Sequence, residues 1–236
     1  MKKKAKGIIV LIFGIIAVYL LLLIYPNPLF DFKVQYQNFE IFSDHPIPKD
    51  ISIVIDDAKE RLENSELYNS NYKFNLYLCN ENWRFIFFSR NGNAGGQVNF
   101  LFSPNIFIRE NEIMSNQIIP PKTWKNPMED RPLSYFIAHE ATHSLQREND
   151  RFLIFKVPVE IVEGYAEYVG KSKTNNLDVL KEKFLNNSPS MNPKSGLYDK
   201  YNLYISYLID HKGYNFEQII QEQPDLNKSL DELMRK

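Results

Sequence analysis

The run from Gly7 to Tyr25, GIIVLIFGIIAVYLLLLIY, contains no charged side chain and shows no polar face. Its length is close to the ~20 residues that carry a helix across a hydrocarbon core. A helix packed on a soluble core keeps one polar side, and this run has none to offer. A secretory leader has a similar plan but a shorter apolar core of roughly 7–15 residues, closed by a small-x-small cleavage site. Here the run continues into Pro26-Asn27-Pro28-Leu29-Phe30, so it reads as an uncleaved signal anchor. Lys2, Lys3, Lys4 and Lys6 precede it and place the N-terminus in the cytoplasm by the positive-inside tendency. The expected organisation is a basic cytoplasmic tail (1–6), a single transmembrane anchor (7–25), a Pro- and aromatic-rich juxtamembrane connector (26–49) and an extracytoplasmic folded domain (50–236).

Composition narrows the function classes. Lys+Arg is 28 against Asp+Glu 29, a formal net charge of -1, and a nucleic-acid binder normally shows a basic excess. Cys79 is the one cysteine, which excludes an intramolecular disulfide framework and any multi-cysteine zinc site. The exported part must therefore be held together by its core.

Beyond the connector, Ile51, Val54, Ile55, Ala58 and Leu62 recur at helical spacing after Asp50, predicting a capped amphipathic helix over about 50–66. Residues 73–79 alternate, with Phe74, Leu76 and Leu78 on one face, and read as a strand; residues 84–88 read as a second. One or two more strands are expected over 97–110, after the turn-rich 91–96. A loop with Pro120, Pro121 and Pro127 spans about 111–131. Helices are expected over 132–147, from Pro158 to about 171, and over 176–186, 197–211, 214–222 and 225–235. This order gives an α+β domain, a small N-terminal mixed sheet lobe followed by a helical lobe.

The chemistry lies in His139-Glu140-Ala141-Thr142-His143, an H-E-x-x-H motif inside a predicted helix. Histidines four apart stand one turn apart on one face, so both imidazoles reach one Zn²⁺. Glu140 is offset around the helix and can reach a water at the metal without ligating it. A catalytic zinc takes three protein ligands and keeps an open position. The three-histidine extension would need Gly and His where Gln146 and Asn149 stand, and His45 and His211 are remote in sequence, His45 reading as a surface residue. A downstream carboxylate is the alternative, and Glu160, Glu163 and Glu167 form one acidic stripe on the next helix. Such a stripe is ordinarily a solvated face; its place one helix after H-E-x-x-H makes it a ligand source.

H-E-x-x-H followed by Glu-Gly-x-Ala-Glu-Tyr resembles the gluzincin metallopeptidases, which include the thermolysin-like, aminopeptidase and bacterial peptidase MA-like groups. The resemblance covers roughly residues 133–170 and extends weakly over Tyr198–Ile209; the first 90 residues carry none. It implies a zincin-like fold, one zinc per chain, Glu163 as third ligand beside His139 and His143, and Glu167 as the carboxylate behind a zinc histidine. Gly164, lacking a side chain, would let the two metal-bearing helices pack closely. Such enzymes stabilise the oxyanion with a Tyr or His. Tyr198, Tyr201 and His211 are the candidates, Tyr198 and Tyr201 are expected on one helix face, and Tyr198 is the choice. The implied function is a membrane-anchored zinc peptidase acting on a peptide or protein substrate laid as a strand along a sheet edge near Gly95–Phe107. The alternative is an inactive, zinc-stabilised peptide-binding module tethered to the membrane.

Overall fold

The computed structural model describes residues 2–124 and 131–235, the side chains of 2–5 excepted. Pro127 of the expected loop and the side chains of Lys2, Lys3 and Lys4 lie outside the described residues. The fold is mixed α+β: one N-terminal apolar helix, a sheet, then a helical half. In chain order the elements are α1 (Lys2–Ile24), β1 (Phe32–Tyr36), β2 (Phe39–Ser43), α2 (Ile51–Leu62), β3 (Phe74–Leu78), α3 (Asn82–Ser89), β4 (Gly96–Val98), β5 (Ile106–Ile108), β6 (Asn111–Glu112), β7 (Gln117–Ile118), α4 (Leu133–Asn149), α5 (Val159–Gly170), α6 (Leu177–Leu185), α7 (Asp199–Ser206), α8 (Phe216–Glu222) and α9 (Leu226–Met234).

The main sheet has the order β1-β2-β3-β5-β4, with β2, β3 and β5 parallel and both edge strands antiparallel to their neighbours. Alternation along its strands feeds two cores. Phe39, Ile41, Phe74, Leu76, Leu78, Ile106 and Ile108 face α2 and the helical half. Phe42, Tyr77, Cys79 and Phe107 point the other way. On that second face Phe42, Tyr77 and Phe107 lie in register across three strands and stack at 4.8 and 5.2 Å, with Phe88 of α3 closing the stack at 4.4 Å. Each such aromatic pair contributes about 0.5–1.5 kcal/mol beyond its buried area.

Five local expectations are corrected. The segment 26–49 is not a connector but holds β1 and β2; its prolines flank the hairpin without interrupting it, and Val34, Tyr36, Phe39 and Ile41 alternate within it. Asp50 does not cap α2: its side chain makes no cap bond, and the amides of Ile51, Ser52 and Ile53 bond instead to the carbonyls of Pro48, Lys49 and Asp50. Residues 84–88 are not a strand but the middle of α3, which buries Phe85 and Phe88 and exposes Trp83 and Ile86. The apolar run is ambiguous by itself. The helix is started from afar, by the Asp44 carboxylate accepting the amides of Asn80 and Glu81 and the Arg84 guanidinium. The 111–131 loop contains the short β6–β7 hairpin. In the helical half, the expected 197–211 helix begins at Asp199 and passes into a π-helical turn over Tyr207–His211.

The last turns of α1 belong to the fold. Leu23 is completely buried in the second core, Tyr19 donates a hydrogen bond to the Phe87 carbonyl, and Ser103 and Asn105 donate to the Leu23 carbonyl. A chain cut after Tyr25 would lose these contacts. Leu23→Ala is expected to destabilise the folded domain by roughly 2–5 kcal/mol, read as a lower unfolding midpoint of the full chain in detergent. An unchanged midpoint would mean that α1 is not packed on the domain.

Candidate metal centre

α4 is the central helix, with every residue from Leu133 to Gln146 buried. Helical spacing puts His139 and His143 on the face it turns toward α5, their ring centroids 4.9 Å apart. α5 brings Glu163 opposite: its Oε2 lies 3.6 Å from the Nε2 of both histidines. The three side chains offer ligand atoms within 4.8 Å of one another and could hold a metal ion. Of the expected acidic stripe, Glu163 alone joins this group.

The surroundings fit a cation. Gln146 donates its amide to the Val162 carbonyl at 3.0 Å, which fixes its Oε1 toward His143 Nδ1 at 2.8 Å. An oxygen there requires a proton on Nδ1, so neutral His143 presents the Nε2 lone pair to Glu163. His139 Nδ1 is buried, has no hydrogen-bond partner among the described residues, and lies 3.6 Å from Glu167 Oε2. Glu167 is itself fully buried, held by Arg131 at 2.8 Å, Lys171 at 3.4 Å and the Tyr135 hydroxyl. Asp199 extends the network, pairing with Lys171 at 2.7 Å and Lys183 at 3.0 Å. Arg131 also donates to the Leu197 carbonyl and so ties the residues before α7 to the back of the site.

The charges follow from this packing. Burial alone would lower His143, but the Glu163 carboxylate outweighs it and lifts the pKa to about 9 in the metal-free protein. Burial would raise Glu163, yet His143 and His139 hold it far below the usual carboxylate range. Burial raises Glu140, only partly offset by the two histidines and a backbone hydrogen bond from Val98. The folded His143 value exceeds its ordinary 6.5 and the folded Glu163 value lies below its ordinary 4.5, so the His143–Glu163 pair stabilises the metal-free fold fully between about pH 4.5 and 6.5, fades as pH rises through about 9, and weakens as pH falls below about 4.5. A metal must displace that proton, so metal affinity is expected to rise with pH toward about 9, read by chelator competition. Affinity flat over that window would exclude His143 as a ligand.

The centre opens into a cavity of about 780 Å³, within the usual range for ligand sites. Its walls include the edge strand β4, Phe100 and Leu101 from the loop after it, Trp124, and Tyr198. Glycines set this wall. A Cβ on Gly96 would stand 2.5 Å from Glu140 Cγ, and one on Gly95 would stand 2.3 Å from the Phe136 ring. Glu140 therefore packs against bare backbone at the sheet edge.

Other expectations are met differently. Gly164 faces α7, where a Cβ would meet Ile205 at 2.8 Å and the Tyr201 carbonyl at 2.9 Å; Gly170 is the residue against α4, 3.0 Å from the Tyr135 ring and 3.4 Å from His139 Cβ. Tyr198 and Tyr201 do not share a helix face: Tyr198 precedes α7 with φ +40° and stacks on Tyr201 at 5.7 Å. Tyr198 lines the cavity and Tyr201 does not; burial, then Glu163, Glu140 and Glu167, raise the Tyr198 phenol, which stays neutral. His211 is exposed beside Tyr207 and His45 is exposed beside Glu81. Gln146, Arg131, Tyr135 and Asp199 were not singled out in the sequence. Only Gln146 had a local signal, three residues after His143 on the same helix face. No protein-family model, curated protein or solved structure matches this chain.

Proposed function

We propose that the chain is a membrane-anchored zinc metallopeptidase of the gluzincin kind, with a zincin-like fold and one zinc per chain held by His139, His143 and Glu163. The observation that carries this reading is the convergence of two imidazole Nε2 atoms and one carboxylate, 3.6 Å from each, at the floor of an open cavity. Two histidines and a carboxylate match the three-ligand catalytic zinc pattern, with a position left for water or substrate. The zinc would supply Lewis-acid polarisation of a carbonyl and of a water.

The chain's own groups carry the remaining steps. Glu140, its proton affinity raised by burial, takes a proton from the attacking water and gives it to the leaving amine. Tyr198, a neutral phenol on the cavity wall, donates a hydrogen bond to the developing oxyanion. Glu167 and Gln146 orient the two histidines from behind. β4 is a sheet edge along the cavity, and an extended peptide adds to such an edge by main-chain hydrogen bonds.

The anchor reading is supported by the helix Lys6–Ile24, long and apolar enough to cross a membrane, and by the burial of Leu23 in the domain's core, which a cleaved leader would not share. Four lysines before the run favour a cytoplasmic N-terminus and an extracytoplasmic site. Incubation of the full chain with a peptide library tests the peptidase half. Hydrolysis abolished by chelator and restored by Zn²⁺ is the expected result. One zinc bound per chain with no peptide cut would sink it in favour of a tethered peptide-binding module.

A further inference from the structure

The apolar helix and the folded domain overlap along the helix axis. From Ile8 to Val18 the large apolar side chains of α1 are exposed, between about 48% and 71% each. From Tyr19 onward the helix is partly covered: Tyr19, Leu20 and Leu23 pack on the second core. The uncovered stretch Gly7–Val18 rises only about 18 Å at 1.5 Å per residue, whereas a hydrocarbon core is about 30 Å thick. If α1 spans, the missing length must come from Tyr19–Tyr25. Whatever touches that stretch then lies at the same depth.

At Tyr19, what touches it is α3. Phe87 meets Tyr19 edge-on at 5.0 Å between ring centroids, and its carbonyl accepts the Tyr19 hydroxyl at 3.0 Å. Tyr19 stands about 9 Å inside the end of the run by helical rise. At the other end of α3, the Arg84 guanidinium donates to the Leu29 carbonyl at 3.0 Å, beyond the membrane helix. α3 therefore slopes from the level of Leu29 down to that of Tyr19. Its face away from the core carries Trp83, 51% exposed, and Ile86, 44% exposed, with Phe87 between core and surface. Two large apolar residues side by side on an eight-residue helix are out of place in water, and a tryptophan under an arginine (4.7 Å from guanidinium to ring) matches the aromatic and cationic chemistry of a bilayer interface.

We propose that α3 is an interfacial membrane element. Trp83 and Ile86 sit in the headgroup and upper acyl region of the leaflet that α1 leaves, so the domain rests on the bilayer and does not hang from a tether. Arg90, which ends α3 in a left-handed conformation, and Leu101 and Phe102, which precede the Ser103 that holds the Leu23 carbonyl, all line the cavity. One wall of the cavity is thereby held at the membrane surface. The occupant is lipid, not a second copy of the chain, because Phe87, next to Ile86, contacts Tyr19 and so joins this face to α1, whose large apolar side chains from Ile8 to Val18 are exposed. The inference rests on the membrane half of the proposed function and is independent of the peptidase half.

The test uses the full chain in phospholipid vesicles. The chain has two tryptophans, so Trp124→Phe leaves Trp83 as the one emitter and Trp83→Phe leaves Trp124. Lipids brominated near the headgroup end of the acyl chains are expected to quench Trp83 and not Trp124, while aqueous iodide does the reverse. A second pair guards against misfolding of either variant: Ile86→Cys is expected to resist a membrane-impermeant maleimide, while Met114→Cys, at a position 77% exposed, reacts. Cys79 is buried and does not compete. A chain that stays with vesicles through alkaline carbonate but shows Trp83 open to iodide, or Ile86→Cys labelled as fast as Met114→Cys, overturns the placement of α3 and leaves the span intact. Release of the chain by carbonate overturns both.

Discussion

Glu140→Gln is expected to lower peptide hydrolysis by roughly 10²–10⁴-fold, the span of a positioned acid–base group, while metal content stays at the wild-type level. The amide has the shape of the carboxylate, so it fills the same space against Gly96, where a single added carbon would already collide at 2.5 Å. It is not one of the three side chains whose ligand atoms converge, so the cation loses no donor. What disappears is the acceptor for a proton. The loss falls on kcat, since no substrate contact is removed, and paired measurements of kcat, KM and zinc per chain read it. Full activity in this variant would show that another group takes the proton; a loss of zinc in parallel would show that Glu140 ligates or positions the metal.

The second large effect is on binding. Glu163→Ala removes the one carboxylate within 3.6 Å of both histidines, and zinc affinity is expected to fall by more than the roughly 10–100-fold attached to a residue that only supports a ligand. Glu160→Ala is the control: that side chain is outside the converging group and its loss leaves zinc in place. The two variants also separate in titration. The Glu163 carboxylate is what lifts His143 to about 9 against its own burial, so without it the His143 value drops, and NMR titration of the metal-free imidazole reads the shift downward. Zinc retained undiminished by Glu163→Ala would remove Glu163 from the site.

The part of this site legible in the sequence is the part that helical geometry makes local. His139 and His143 are one turn apart, and so are Glu163 and Glu167; each pair needs nothing but a regular helix to share a face. The residues that hold them were not legible. Arg131 reaches Glu167 and the Leu197 carbonyl across more than thirty and more than sixty positions respectively, and no pattern near Arg131 announces either partner. The two glycines divide in the same way. Gly164 stands in a recognisable motif, yet the helix it admits is α7, while Gly170, in no motif, lets α5 close on His139. Which neighbour a glycine serves depends on how helices cross, and the sequence of one helix does not contain that angle.

The elements follow the same rule. The membrane-length run, the alternation of Phe74, Leu76 and Leu78, the stripe of α2 and the H-E-x-x-H helix were determined by the sequence itself, because each is a short-range periodicity or an unbroken apolar length. Tertiary structure decided the rest. Residues 84–88 are helical because Asp44, 36 or more positions earlier, satisfies the amides at the start of the turn. Tyr198 stands at the cavity wall because the chain turns through a left-handed conformation before α7. The end of α1 is a piece of the core because Leu23 is fully buried in the cluster that contains Phe30, Phe85 and Phe107. In each case the deciding partner is distant in the chain, and a hydrogen bond or a packed side chain from far away outweighs a local preference worth at most about 1 kcal/mol per residue.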